Sequence, residues 1–156
     1  MSTTNVSETD NSNLSTPSIV PSTVSPTAPT ALIIDDNQYN REIVRVALES
    51  QGFDVTDYED SVAAVSLLNE RTFDLLVLDM QMPVLGGQQV LTIIKSNVLH
   101  KAMQIIILTA HSQMDTSEVQ NNANYIMYKP ISVTSFAQFA HRLQSVHSKA
   151  SSKEAN

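Results

Sequence analysis

The chain has 156 residues, of which 42% are hydrophobic, so it is long and apolar enough for one domain with a buried core and tails. It contains no cysteine, which excludes disulfide frameworks, zinc–thiolate sites, iron–sulfur clusters and cysteine nucleophiles. The formal net charge of −7 argues against direct nucleic-acid binding, which needs a basic face, and no apolar run is long enough to span a bilayer.

The first 30 residues differ in composition from the rest of the chain. Ser, Thr and Pro account for 18 of them, and none is Lys, Arg, Gly or aromatic. Such a segment buries too little apolar area to offset its ordering entropy, and it lacks the basic and apolar regions of a secretory signal. We expect a disordered leader over residues 1–30, a folded domain over 31–147 and a disordered polar tail over 148–156.

Short apolar runs of strand length recur between the two tails. They lie at 31–34, 75–78, 105–108 and 125–127, and the segment 53–58 alternates as a half-exposed edge strand does. Runs that are apolar throughout are typical of a parallel sheet covered on both faces.

Segments with helical periodicity fill the intervals between these runs. Gly52 is predicted to end the first helix and Ser132 to cap the last, while the polar segment 113–122 is the weakest of the five helices. Five alternating β–α units predict an α/β protein with an open, doubly wound parallel sheet, whose ligands bind at the carboxyl ends of the strands.

Charged and hydroxyl side chains follow four of the predicted strands at their carboxyl ends. In chain order they are Asp35 and Asp36, Asp79, Thr109, and Lys129. Three neighbouring carboxylates repel one another unless one is protonated or a cation is bound. Oxygen ligands without His or Cys favour a hard divalent ion, and Mg²⁺ is the natural choice.

This set of groups points to phosphoryl transfer. A carboxylate beside Mg²⁺ and an ammonium group is placed to attack phosphorus, and the developing oxygens would meet the metal, Lys129 and Thr109. Each residue alone has a plainer interpretation, since an Asp after a strand is usually a helix cap or a turn residue and a Lys is usually a solvated charge. Complementary groups at four separate strand ends favour the functional interpretation.

The ordered motifs resemble the receiver domain of two-component response regulators. They are the segments 32–37 (LIIDDN), 76–83 (LVLDMQMP) with two glycines after it, 109–110 (TA) and 129–130 (KP). The resemblance covers roughly residues 30–147, and the segment 35–41 (DDNQYNR) is most similar to receivers attached to hybrid histidine kinases. It implies a five-stranded parallel sheet in the flavodoxin-like order 2-1-3-4-5 with helices on both faces.

The resemblance also implies a role for each residue of the site. Asp79 would accept a phosphoryl group from a phosphohistidine on a histidine kinase or a His-phosphotransfer protein. Lys129 would pair with Asp79 and then with the phosphoryl group, which Thr109 would also bond. The implied ligands of Mg²⁺ are Asp35, Asp36, Asp79 and the carbonyl of Gln81.

Further residues are implied to control switching and phosphate lifetime. Ala110, Ile126 and Pro130 would lie in the switch region, with the Lys129–Pro130 peptide in cis. Ile126 stands where the family usually has an aromatic residue. Gln81 and His111 would flank the entry of water and tune the lifetime of the phosphate, and the weak helix at 113–122 is expected to be the most mobile element.

The resemblance implies a cytoplasmic signalling protein with a downstream protein target, and not an enzyme that turns over a separate substrate. The sequence leaves open whether it is a stand-alone receiver or one excised from a hybrid kinase, and whether phosphate switches a surface or is passed on. A pseudo-receiver that binds partners without phosphorylation is the alternative. An Asp-nucleophile phosphatase is disfavoured because Gln81 stands where its second Asp would be, and a nucleotide-binding module lacks its glycine-rich loop.

Overall fold

The computed structural model describes residues 28–110 and 121–151, with side chains as far as Gln144. In chain order the elements are β1 (Thr30–Ile34), α1 (Gln38–Glu49), β2 (Asp54–Tyr58), α2 (Ser61–Glu70), β3 (Leu75–Asp79), α3 (Gly87–Ser96), a 3₁₀ turn (Val98–His100), β4 (Gln104–Thr109), β5 (Tyr125–Tyr128) and α4 (Val133–Ser151). Residues 121–122 are also helical.

The five strands form one parallel sheet in the order β2-β1-β3-β4-β5. The predicted fold and strand order are therefore confirmed. Asp79, the last residue of β3, is in register with Leu108, and Thr109 is in register with Tyr128. Because all strands run in the same direction, their carboxyl ends form one edge of the sheet.

Apolar side chains pack on both faces of the sheet. Helices α2 and α3 cover one face through Ala64, Leu68, Val90, Leu91 and Ile94. Helices α1 and α4 cover the other through Val44, Ala47, Leu48, Phe136, Ala140 and Leu143. The residues of β3 are buried throughout, whereas β2 is partly exposed along its length, as the alternating pattern of an edge strand predicts.

Two predicted helix signals are confirmed in atomic detail. Gly52 has a φ of 83°, its N–H donates to the carbonyl of Glu49, and the N–H of Phe53 donates to that of Leu48, which is a Schellman ending of α1. The Ser132 Oγ accepts a hydrogen bond from the N–H of Ser135 at 3.2 Å and caps α4.

The first strand and the last helix extend beyond the bounds predicted for the folded region, 31–147. β1 begins at Thr30, inside the predicted leader, and Asp74 holds this residue by accepting from its N–H at 2.7 Å and its Oγ1 at 2.9 Å. Helix α4 continues to Ser151, past the predicted start of the tail at 148. Residues 1–27, 111–120 and 152–156 lie outside the described residues, and with them most of the leader, His111 and most of the predicted helix at 113–122.

Among residues 28–110 and 121–151, no helix combines the length and the apolar character that crossing a bilayer would require.

Candidate functional site

The predicted site residues gather at the carboxyl edge of the sheet. Asp35 follows β1, Asp79 ends β3, Thr109 ends β4, and Lys129 follows β5. The strands bring these residues together although Asp35 and Lys129 are 94 positions apart in the sequence. Their convergence follows from the parallel topology, which places every strand end on the same side.

Three carboxylates and one ammonium group form the centre of this edge. Asp35, Asp36 and Asp79 each offer a carboxylate oxygen, and these oxygens all lie within 4.8 Å of one another. Asp35 and Asp79 are buried, whereas Asp36 is exposed. The Lys129 Nζ lies 2.9 Å from Asp35 Oδ2 and 3.0 Å from Asp79 Oδ1, so its ammonium group pairs with the two buried carboxylates of the cluster.

The protonation of Asp79 and Lys129 reflects this crowding. Burial raises the pKa of Asp79 above its ordinary value of 3.8, the hydrogen bond from Lys129 lowers it in part, and the Asp35 carboxylate raises it further. Burial lowers the pKa of Lys129, but hydrogen bonds to Asp35 and Asp79 outweigh this effect, and the pKa lies above its ordinary value of 10.5. The ammonium group is therefore held in its charged form, while ionisation of Asp79 is opposed by its surroundings.

Two asparagines hold the Asp35 carboxylate in place. Its Oδ1 accepts from the N–H of Asn37 at 2.9 Å, and the Asn40 amide donates to Oδ1 at 3.3 Å and to Oδ2 at 3.1 Å. The Asn37 side chain caps α1 by accepting from the N–H groups of Tyr39 and Asn40. Asn40 is not among the predicted site residues, although it lies in the segment 35–41 (DDNQYNR) on which part of the resemblance rests.

The loop after Asp79 is shaped by close backbone contacts. A Cβ at Gly87 would lie 2.4 Å from the carbonyl oxygen of Asp79 and 2.7 Å from the Cα of Met80, so only glycine fits there. Val84 has a φ of 66°, and the N–H of Leu85 donates to the carbonyl of Pro83 at 2.8 Å, which makes a tight γ-turn. A β-branched residue in this region of φ is strained.

The remaining predicted residues are distributed around this centre. Gln81 is exposed, and its backbone forms a hydrogen bond with Asp79 that lowers the pKa of that carboxyl. Thr109 is buried, and its carbonyl accepts from the N–H of Lys129 at 2.8 Å.

The predicted switch residues lie around the ends of β4 and β5. Ala110 is exposed at the end of β4, and Ile126 is half-buried against the core under α2 and α3. Pro130 is exposed, and the Lys129–Pro130 peptide is cis.

The donor set fits a hard divalent cation such as Mg²⁺. The three clustered groups offer only carboxylate oxygens, and with Lys129 present the cluster keeps an excess of negative charge. Asp36 is the more available ligand because its carboxylate is exposed, whereas both oxygens of Asp35 already accept hydrogen bonds. A bound cation would also relieve the repulsion between Asp35 and Asp79.

Known proteins with similar sequences include parts of large sensor kinases. The sensor protein GacS of Pseudomonas syringae pv. syringae is 34% identical over 116 residues, which are 71% of this chain and 13% of GacS. The autoinducer 2 sensor kinase/phosphatase LuxQ of Vibrio harveyi is 33% identical over 102 residues, which are 64% of this chain and 12% of LuxQ. The chain thus spans about an eighth of the length of these curated relatives.

Solved structures show the same fold. The chemotaxis response regulator CheY4 of Vibrio cholerae superposes with a TM-score of 0.68 at 23% identity, covering 74% of this chain and 98% of that one. The receiver domain of the sensor histidine kinase PA1611 from Pseudomonas aeruginosa PAO1, solved with a magnesium ion coordinated in its active-site cleft, has a TM-score of 0.65 at 26% identity. That match covers 74% of this chain and 96% of that one.

The sheet order and the acidic edge define a protein of the CheY-like flavodoxin fold. A family model described as the response regulator receiver domain matches residues 31–141, and the chain belongs to this family. The resemblance seen in the sequence is thereby confirmed. Receiver domains act in two-component signalling and are not conventional enzymes, and the Asp35, Asp36 and Asp79 cluster resembles the phosphorylation site of the family.

Proposed function

We propose that this receiver accepts a phosphoryl group on Asp79 from a phosphohistidine, in a reaction that requires Mg²⁺. The observation that carries the proposal is the Lys129 ammonium group, 3.0 Å from the Asp79 carboxylate within the cluster of three carboxylates. The donor is a histidine kinase or a His-phosphotransfer protein in the cytoplasm. The similarity to receiver-containing sensor kinases and the magnesium ion in the PA1611 structure support this assignment.

The chemistry follows from the side chains at the edge of the sheet. A carboxylate oxygen of Asp79 attacks phosphorus, so that an O–P bond forms while the P–N bond to the donor imidazole breaks. The released ring nitrogen keeps the bonding electron pair and takes up a proton. Lys129 and the Thr109 hydroxyl donate hydrogen bonds to the phosphoryl oxygens as their charge develops.

Asp35, Asp36, Asp79 and the carbonyl of Gln81 would hold the magnesium ion. The bound ion supplies positive charge that neutralises the phosphoryl oxygens. Asp36 supplies the exposed ligand, and Asp35, fixed by Asn40, supplies the rigid one.

Phosphorylation would act as a switch by redistributing charge. The phosphoryl group adds roughly −1.5 to −2 charges, which draws Lys129 and Thr109 towards Asp79. Thr109 ends β4 and Lys129 follows β5, next to Ala110 and Pro130, and Ile126 lies within β5, so this side of the domain would present the changed surface. A downstream protein would bind that surface or accept the phosphoryl group in turn. Gln81 and His111 would tune the lifetime of the phosphate on Asp79.

Intact mass spectrometry after incubation with acetyl phosphate and Mg²⁺ tests the acceptor. We expect the parent to gain one phosphoryl group and Asp79→Asn to gain none. Asp54→Asn, at an exposed position in β2, is the matched control and should behave as the parent does. No gain with acetyl phosphate or with a phosphorylated kinase would contradict the proposal and favour a pseudo-receiver that binds partners without phosphorylation.

A further inference from the structure

We infer that Arg41 is a positioning residue for the two acidic residues Asp35 and Asp36. Its guanidinium group holds the carbonyl of the peptide that joins them and anchors this peptide to the end of β2. The inference rests on the proposed metal and phosphoryl site, and it assigns the first turns of α1 a part in that site.

The Arg41 side chain spans two elements. Its Nη1 donates to the carbonyl oxygen of Asp35 at 2.9 Å, and its Nε donates to Asp57 Oδ2 at 3.0 Å. The side chain is only 12% exposed, so these bonds are largely shielded from water. A third contact, from Nη2 to Glu59 at 3.5 Å, reaches a carboxylate that is 75% exposed and adds little.

The Asp35 carbonyl lies just past the last paired residue of β1, although the N–H of Asp35 still donates to the carbonyl of Tyr58 at 3.2 Å. The last residue of β1 in register with its neighbours is Ile34, which pairs with Tyr58 and Leu78. The chain then leaves the sheet and presents Asp36 and the buried Asp35 to the site. A donor that fixes the carbonyl between them sets the direction of both side chains.

An arginine suits this position because its donors are arranged as a rigid fork. One edge of the guanidinium group serves the carbonyl of Asp35, while Nε serves the carboxylate of Asp57. A lysine has the same charge but a single ammonium group on a flexible stem, so it would not reproduce both bonds in one geometry. The charge of Arg41 can therefore be separated experimentally from its shape.

The neighbouring Arg45 provides a matched control within the same ion-pair cluster. It also pairs with Asp57, and it contacts Glu49 at 3.4 Å and the carbonyl of Val55 at 3.4 Å. Its contacts thus tie α1 to β2, as those of Arg41 do, but they are directed to Val55 and not to the carbonyl of Asp35. Removal of either arginine takes one positive charge and an Asp57 partner from this region.

Electrostatics and positioning predict opposite signs for the effect of Arg41 on metal binding. If only its charge mattered, removing a cation near the acidic cluster would strengthen the binding of Mg²⁺. If it positions the ligands, removing it weakens binding although repulsion falls. Loss of a residue that orients metal ligands typically costs roughly 10–100-fold in affinity.

The test measures the dissociation constant of Mg²⁺ by titration for the parent and for Arg41→Gln, Arg41→Lys and Arg45→Gln. We expect both Arg41 variants to bind at least about tenfold more weakly, and Arg45→Gln to stay within about twofold of the parent. Without metal, the amide NMR signal of Asp36 should shift in both Arg41 variants and stay in place in Arg45→Gln, since Arg41 donates to that peptide group whereas Arg45 donates to the carbonyl of Val55.

Three results would overturn the inference. Arg41→Gln could bind Mg²⁺ as tightly as the parent or more tightly, Arg41→Lys could restore parental affinity, or Arg45→Gln could weaken binding as much as Arg41→Gln does. If Arg41→Gln does not fold, Arg41→Lys carries the test. A parent protein that neither binds Mg²⁺ nor gains a phosphoryl group would refute the proposed function itself, whereas a competent parent with competent Arg41 variants would refute only the role of Arg41.

Discussion

Asp79 and Lys129 show how the site is balanced at the scale of single residues. The ammonium group lies between two buried carboxylates, and its charge does not fully offset the burial of Asp79, whose pKa remains raised. A nearby cation favours the ionised form of a carboxylate, and this stabilisation is larger for a buried carboxylate than for a solvated one. The burial of Asp79 beside Asp35 thus destabilises the metal-free domain and favours the binding of a metal ion.

The raised pKa of Asp79 predicts a pH-dependent gain in stability for Asp79→Asn. The folded domain keeps the Asp79 proton at pH values where the unfolded chain has lost it, so the contribution to stability is present below about pH 3.8 and is lost as pH rises through the raised pKa. At neutral pH, without metal, Asp79→Asn should therefore unfold at a higher urea concentration than the parent. The difference should shrink as the pH approaches 3.8.

Urea titrations in the presence of a chelator, at several pH values, measure this effect. Asp54→Asn, which changes an exposed carboxylate, should show no comparable gain. A variant Asp79→Asn that is less stable than the parent at neutral pH would show that Lys129 more than compensates the burial of the carboxylate.

Gly87→Ala tests the close packing of α3 against the acceptor residue. The added Cβ would lie 2.4 Å from the Asp79 carbonyl oxygen, so the loop must shift, at a cost of roughly 1–3 kcal/mol in the free energy of unfolding. We expect slower phosphorylation by acetyl phosphate as well, because Asp79 would move. At the adjacent Gly86 the nearest atoms to a Cβ are 3.8 Å away, so Gly86→Ala should leave both properties close to those of the parent.

At the scale of the elements, the start of α1 connects helix stability to the site. Asn37 caps this helix and also donates its N–H to Asp35, and two further residues that contact Asp35, Asn40 and Arg41, lie in its first turns. Helix α2 begins in a comparable way, with the Asp60 side chain accepting from the N–H of Val62. The two helices differ in their relation to the site, since α2 carries none of the predicted site residues, and the described hydrogen bonds to Asp35 come from the start of α1 and from Lys129.

Asn37→Ala and Asp60→Ala separate these two roles of a helix cap. Each should lower the free energy of unfolding by about 1 kcal/mol, because each leaves N–H groups of a first turn without their acceptor. Only Asn37→Ala should also weaken Mg²⁺ binding, since it disturbs the turn that holds Asp35. Chemical denaturation and metal titration measure the two effects, and equal losses of affinity in both variants would contradict this division.

The sequence predicted those elements whose pattern is local. Short, continuous apolar runs placed β1, β3 and β4, and the parallel topology then placed Asp35, Asp79, Thr109 and Lys129 on one edge. The sequence did not predict contacts that depend on tertiary approach. Arg41 meets Asp57 from another strand, Gly87 meets the Asp79 backbone through the packing of α3, and Thr30 joins β1 because Asp74 binds it.

At the scale of the whole molecule, metal binding should stabilise the fold by mass action, because the unfolded chain does not hold the three carboxylates together. The thermal midpoint should rise with Mg²⁺ concentration in the parent and stay nearly constant in Asp36→Asn. At about 100 times the dissociation constant, the expected gain is about 2.7 kcal/mol. Calorimetry at constant ionic strength measures it, and an equal rise in Asp36→Asn would place the stabilising ion elsewhere.

Lys129 directly follows β5, 94 positions after its partner Asp35. During synthesis, all three acidic residues therefore leave the ribosome well before Lys129, the cationic group that completes the site. By the chemistry proposed above, a polypeptide released early, at any point before β5, would retain the aspartates and yet be unable to carry a signal. Because Lys129 follows β5, competence for phosphorylation by this chemistry requires that synthesis has passed β5.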